Sequence, residues 1–126
     1  MRLRHAVTAL LATGVVTAIP VAPAAAASSY CAPETGDYCY SAVKRSGVVR
    51  IGFDTFSFTG KVRVCVTAPT DERTCQRFAL KAKKNGINGF TKRWSSFFPN
   101  EGKGTYRVTF APAGNPKLGP GVTFER

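Results

Sequence analysis

Histidine occurs once in this chain of 126 residues, at His5, and methionine once, at Met1. Tryptophan also occurs once, at Trp94, and 7 acidic side chains stand against 18 lysines and arginines. Each scarcity excludes something. A domain that has shed its first residues holds no imidazole, so it can build neither a Ser-His-Asp nor a Cys-His catalytic set. It also lacks the commonest zinc ligand. The few acids show no Asp-rich calcium-loop spacing. Scattered as they are, in a domain too small for a substrate cleft, they argue against paired-carboxylate glycosidase chemistry. Ser95, Ser96 and Lys92 lack the base-and-orienter partners that a Ser-Lys site requires. No enzyme, metal or cofactor is expected.

Long apolar runs are missing too. The longest, Ala6 to Ile19, is fourteen residues softened by Thr8, Thr13, Gly14 and Thr17, too short to span a bilayer. It follows a cationic head, Met1-Arg2-Leu3-Arg4-His5, and precedes Pro20, Pro23 and the small residues Ala24 to Ala27. That order predicts a secretory signal peptide over residues 1–27. An uncleaved anchor and a lipid anchor on Cys31 are weaker alternatives; Ser29-Tyr30 stands where a lipobox needs small residues. Cleavage after Ala27 leaves the 99 residues from Ser28 to Arg126, one domain in size. Without Arg2 and Arg4 it keeps 16 basic residues against 7 acids, a formal charge of +9. The basicity therefore belongs to the domain, which is expected to be secreted and monomeric.

Four cysteines remain: Cys31, Cys39, Cys65 and Cys75. An even number in an exported domain reads as two disulfides, with three connectivities open. A four-thiolate zinc site is the rival reading, but zinc ligands sit two to four residues apart and these do not.

After Ser28 no window carries an apolar face at helical spacing, and short alternating runs of Val, Ile, Phe, Tyr and Thr predict strands instead. They are Tyr38 to Lys44, Val48 to Phe58, Lys61 to Thr67 and Cys75 to Lys83. Asn85-Gly86 marks a tight turn. An aromatic strand through Phe90, Trp94 and Phe98 follows, then Thr105 to Ala111 and Val122 to Glu125. In Val48 to Phe58 the phase slips after Phe53, so a bulge or bend is expected near Asp54-Thr55. If Cys65 faces Cys75 in an antiparallel hairpin, Val64 meets Gln76 and Val62 meets Phe78. The apolar residues then share one face and the sulfurs the other, facing water; a one-residue slip would break both agreements. Cys31 with Cys39 follows by elimination.

The segment Pro99-Asn100-Glu101-Gly102-Lys103-Gly104-Thr105-Tyr106-Arg107-Val108 resembles the turn and Gly-x-Tyr-x-hydrophobe pattern that leads into strand F of immunoglobulin-like and fibronectin type III-like domains. The resemblance implies an all-β antiparallel sandwich of about seven strands, and a tyrosine corner in which the buried Tyr106 caps a backbone group. Val108 stands where true immunoglobulin domains have their second cysteine, so the inter-sheet disulfide is not expected. The likeness identifies a fold and no function.

The same hairpin register sends Lys61, Arg63, Arg77, Lys81 and Lys83 outward with no acid among them, and sets Arg63 opposite Arg77. Like charges so placed cost a few tenths of a kcal/mol up to ~1. This is a candidate anion-binding face, for wall phosphates, acidic polysaccharide or anionic headgroups; a merely solvated basic exterior is the plain alternative. A second candidate is the loop Ala68 to Arg73, where Asp71, Glu72 and Arg73, pinned between Cys65 and Cys75, could contact an extracellular protein as an inhibitor or effector does. In Lys92-Arg93-Trp94-Ser95-Ser96-Phe97-Phe98, Trp94 and Phe98 read as core and Arg93 and Phe97 as outward, against a stacking site for sugar or base. Specific nucleic-acid binding is not expected outside the cell. The function expected is a non-catalytic binding module for an anionic polymer; a protein-binding effector and a structural surface domain are the alternatives.

Overall fold

The computed structural model describes residues 28–33 and 36–126; the signal segment expected over 1–27 lies outside them. Among the described residues nine strands form, β1 (Ser29–Cys31), β2 (Tyr38–Arg45), β3 (Val48–Thr55), β4 (Lys61–Thr67), β5 (Arg73–Ala79), β6 (Lys81–Ala82), β7 (Asn88–Arg93), β8 (Thr105–Pro112) and β9 (Val122–Glu125). One short helix, α1 (Trp94–Phe97), interrupts them. The strands build two antiparallel sheets, in the orders β1-β2-β3-β7-β6 and β5-β4-β8-β9. Setting β1 aside, these are the A-B-E-D and C′-C-F-G orders of an immunoglobulin-like sandwich.

Alternation explains the core. β3 turns Val49, Ile51, Phe53 and Thr55 inward, and β8 turns Tyr106, Val108 and Phe110 inward, all of them buried. On β4 the inward set is Val62, Val64 and Val66. Each such side chain contributes roughly 1.5–3 kcal/mol on full burial. Aromatic rings tie the sheets together: Tyr40 of β2 lies 4.5 Å, centroid to centroid, from Phe110 of β8. The Tyr40 hydroxyl also donates to the carbonyls of Leu118, at 3.2 Å, and Pro120, which anchors the approach to β9. Burial and the neighbouring Tyr38 and Tyr30 push the Tyr40 phenol well above its ordinary pKa.

The hairpin β4-β5 has the register read from the cysteines, with Val62 opposite Phe78, Arg63 opposite Arg77 and Cys65 opposite Cys75. Both disulfides are those expected, Cys31–Cys39 and Cys65–Cys75. The tyrosine corner is present as well. Tyr106 is fully buried, its hydroxyl donates to the Gly102 carbonyl at 2.6 Å, and it accepts from the Glu101 amide at 3.0 Å. Gly104 lets this corner close, because a Cβ there would stand 2.8 Å from Cγ of Pro69 in the β4-β5 loop.

Several expectations need correction. Nine strands replace about seven, because β1 adds an edge and the run Cys75 to Lys83 splits in two. At Leu80, whose amide donates to the Gly60 carbonyl at 2.7 Å, the chain leaves one sheet for the other. The hairpin β6-β7 then turns at Asn85-Gly86, both with positive φ, the conformation that pair favours. The strand expected to reach Phe58 ends at Thr55, and of the bulge or bend expected near Asp54-Thr55 the bend forms: Thr55 Oγ1 accepts from the Ser57 and Phe58 amides, at 3.0 and 3.3 Å. The aromatic strand stops at Arg93, and Trp94 opens α1. Cys65 is buried at 4% exposure instead of facing water, since β4 lies inside its sheet, between β5 and β8, and neighbouring side chains cover the sulfur.

Candidate functional site

The outer face of the four-stranded sheet is assembled by the same alternation that fills the core. β4 presents Lys61, Arg63, Cys65 and Thr67, β5 presents Arg73, Cys75 and Arg77, and β8 presents Arg107, Thr109 and Ala111. Arg63 lies between Arg77 on one side and Ala111 on the other; Thr67 lies between Arg73 and Arg107. The two cationic rows are thus four residues apart along β4, about 13 Å at the rise of a strand. The disulfide Cys65–Cys75 sits between them, and Nη2 of Arg63 donates to Sγ of Cys75 at 3.5 Å. Within these four strands the one acid is Glu125, which accepts from the Thr105 hydroxyl.

A groove of about 460 Å³ opens beside the arginine pair. Lys61, Arg63 and Arg77 line it together with residues 111–115, and no carboxylate does. Backbone bonds hold its wall: Ala113 N donates to the Lys61 carbonyl and Asn115 N to that of Pro112, each at 2.9 Å. Guanidinium groups cannot shed their charge in a protein. An anion entering the groove therefore meets two fixed planar donors and one lysine, and relieves their mutual repulsion.

The structure brings three of the five face residues together and separates two. Lys81 belongs to β6, in the other sheet, opposite Gly89. Lys83 also leaves the face, and its Nζ pairs with Asp54 Oδ1 at 2.6 Å. Of the loop candidates, Asp71 and Glu72 remain in the exposed loop, whereas Arg73 is the first residue of β5, opposite Thr67. Arg73 and Arg107 extend the face, and Arg107 was missed by the sequence reading. Its signal was present, because Tyr106 and Val108 inward force Arg107 outward.

Also missed was a second opposed pair, Arg50 and Arg93, exposed on the five-stranded sheet. The groove beside Arg50, about 340 Å³, contains Asp54 among its lining residues. Trp94 is core: its ring meets Tyr106 and Phe124 edge-on at 5.1 and 5.2 Å. Its Nε1 is the one buried side-chain nitrogen or oxygen without a hydrogen-bond partner among the described residues. Such a donor costs about 1–3 kcal/mol when nothing satisfies it. Phe97 is outward at 39% exposure, with Lys92 Nζ 5.6 Å from its ring centre. Among the described residues no three His, Cys, Asp or Glu side chains gather as metal ligands, and no helix is long and apolar enough to cross a membrane.

No family model matches the chain, and no curated protein matches it. Among solved structures, the chain is similar to the crystal structure of a Br derivative of BhCBM56, a carbohydrate-binding module. The overlap covers 79% of this chain and 99% of that one, at 19% identity and a TM-score of 0.46. At that score the likeness carries no role across to this chain.

Proposed function

We propose that the protein is a secreted, non-catalytic binding module that holds anionic polymers of the cell envelope or extracellular surroundings through the outer face of β5-β4-β8-β9. One observation carries the reading: Lys61, Arg63 and Arg77 converge on a single groove that no carboxylate lines. Arg73 and Arg107, about 13 Å along the strands, give a long polyanion a second row of contacts. A sheet that keeps two arginines face to face accepts a small stability cost, and an anionic ligand turns that cost into affinity. The amino-terminal segment, with its cationic head, apolar run and small-residue end, supports export.

The test is binding of a sulfated dextran, with neutral dextran as control, across about 50 to 200 mM salt. Log affinity is expected to fall linearly with log salt, and neutral dextran is expected not to bind. Binding insensitive to salt, or equal for the two polymers, overturns the reading.

The loop between β4 and β5 supports a second reading, a protein partner. Its backbone is internally bonded, Ala68 N to the Glu72 carbonyl at 2.8 Å and Asp71 N to that of Ala68 at 3.0 Å, so it would meet a partner rigidly. With Arg73 in the strand, that contact would be acidic, through Asp71 and Glu72.

A further inference from the structure

At one end of the sandwich the β2-β3 turn, α1 and the end of β9 surround a pocket of about 420 Å³. Lys44, Arg93, Lys103 and Arg126 line it. Its one acidic side chain, Glu125, accepts from the Thr105 hydroxyl and leaves the cations in excess. Arg126 is held in place by reciprocal backbone bonds with Gly104, at 3.0 and 3.1 Å. The remaining wall is of two other kinds. Ser95 and Asn100 are neutral polar groups, while half-buried Val48 and the edges of the buried Val49 and Trp94 are apolar. Trp94 is also the residue whose buried Nε1 has no partner.

A bare inorganic anion would answer the cations but leave Val48 and the polar wall unused. A neutral sugar would use the apolar and amide walls but leave the excess of cations over Glu125 unanswered. A ring with an apolar face, hydroxyls and one carboxylate uses all three, the combination by which pockets of this size orient small ligands. We infer that this end pocket is a second binding site, which takes a single acidic sugar residue. The carboxylate faces the four cations, the hydroxyls face Asn100 and Ser95, and the ring lies toward Val48 and the edge of Trp94. The site stands apart from the Lys61–Arg63–Arg77 groove, with which it shares no lining residue.

Trp94 is the chain's single tryptophan and borders this pocket, so its emission responds to a ligand seated there. The purified protein is titrated with glucuronate, glucose, acetate and phosphate. The expected result is a saturable change in emission with glucuronate only. Lys44→Gln and Lys103→Gln are each expected to weaken it about tenfold, the loss of one charge-assisted bond. Both residues are exposed, and thermal unfolding confirms that each variant is folded. The double variant Arg63→Gln/Arg77→Gln should titrate like the unaltered protein, which separates this site from the polymer-binding face. Equal saturation by acetate or phosphate reduces the pocket to an anion site and overturns the assignment. An equal response to glucose, no saturable response to glucuronate, or unchanged affinity in both lysine variants overturns it too.

Discussion

Two pairs of arginines oppose each other across neighbouring strands, one pair on each outer face. Arg50 meets Arg93 on the five-stranded sheet, and Arg63 meets Arg77 on the four-stranded one. All four are exposed, and both pairs go against the cross-strand preference for opposite charges. Their surroundings differ. The groove beside Arg50 includes Asp54, and the pocket beside Arg93 includes Glu125. The groove shared by Arg63 and Arg77 adds Lys61 and no acid. Register alone therefore does not make an anion-binding face. What differs is that Arg63 and Arg77 open onto one groove, whereas Arg50 and Arg93 open onto different pockets, so only the first pair adds its charges where one polymer segment would lie.

The largest expected effect breaks this comparison outright. Arg63→Gln/Arg77→Gln should lower affinity for sulfated dextran about a hundredfold at about 50 mM salt, and reduce the log-log salt slope by about 2. Arg45→Gln/Arg50→Gln, on the five-stranded sheet and outside both proposed sites, removes the same formal charge and should change affinity by less than about threefold. Equal losses in the two variants would assign binding to net charge and not to a face. Titration calorimetry against the polymer at several salt concentrations decides between them.

A second prediction tests the frame on which the two faces are compared. Tyr40 belongs to the five-stranded sheet, yet its hydroxyl is bound to the chain leading into β9 of the other. Tyr40→Phe should destabilise the protein by about 1–3 kcal/mol, leaving two carbonyls short of a donor. It should also change the response to alkali. The folded-state phenol is raised above its unfolded value of ~10. The stability it lends is therefore full below that pH and is lost as pH climbs above it. Urea unfolding from neutral pH upward should show a steeper fall in the unaltered protein than in the variant. Parallel curves would mean that Tyr40 does not titrate in this way.

How much of this was legible depended on how local the constraint was. The register of β4 with β5 could be read because two independent patterns, sulfurs and apolar residues, met within the seventeen residues from Val62 to Phe78. The tyrosine corner could be read because Gly102, Gly104 and Tyr106 mark it in sequence. The change of sheet at Leu80 could not. Phe78, Leu80 and Ala82 keep a two-residue period straight through it, with no glycine or proline to announce a bend. Trp94 misled for a related reason. Residues 90, 94 and 98 are spaced by four, which suits one side of a strand and one side of a helical turn alike. Arg50 opposite Arg93 lay further out of reach, because pairing strands 43 positions apart needs a topology and not a pattern.

The smallest expected effect is the most pointed, because stability and binding should move in opposite directions. Arg77→Gln leaves the backbone of β5 intact and removes one member of an exposed like-charged pair. It should raise unfolding free energy by a few tenths of a kcal/mol while weakening polymer binding. Lys83→Gln should lower stability alone. It breaks an exposed ion pair with Asp54 that is worth a few tenths of a kcal/mol at most, and Lys83 stands off the binding face. Its stability should fall slightly, with affinity unchanged. Both shifts are measurable by urea unfolding at low salt and should shrink as salt screens the charges. If Arg77→Gln were instead destabilising, the arginine would be held by a favourable contact that the Arg63 guanidinium does not oppose. The pair would then be an ordinary element of the fold, and the cost that an anion is meant to relieve would not exist.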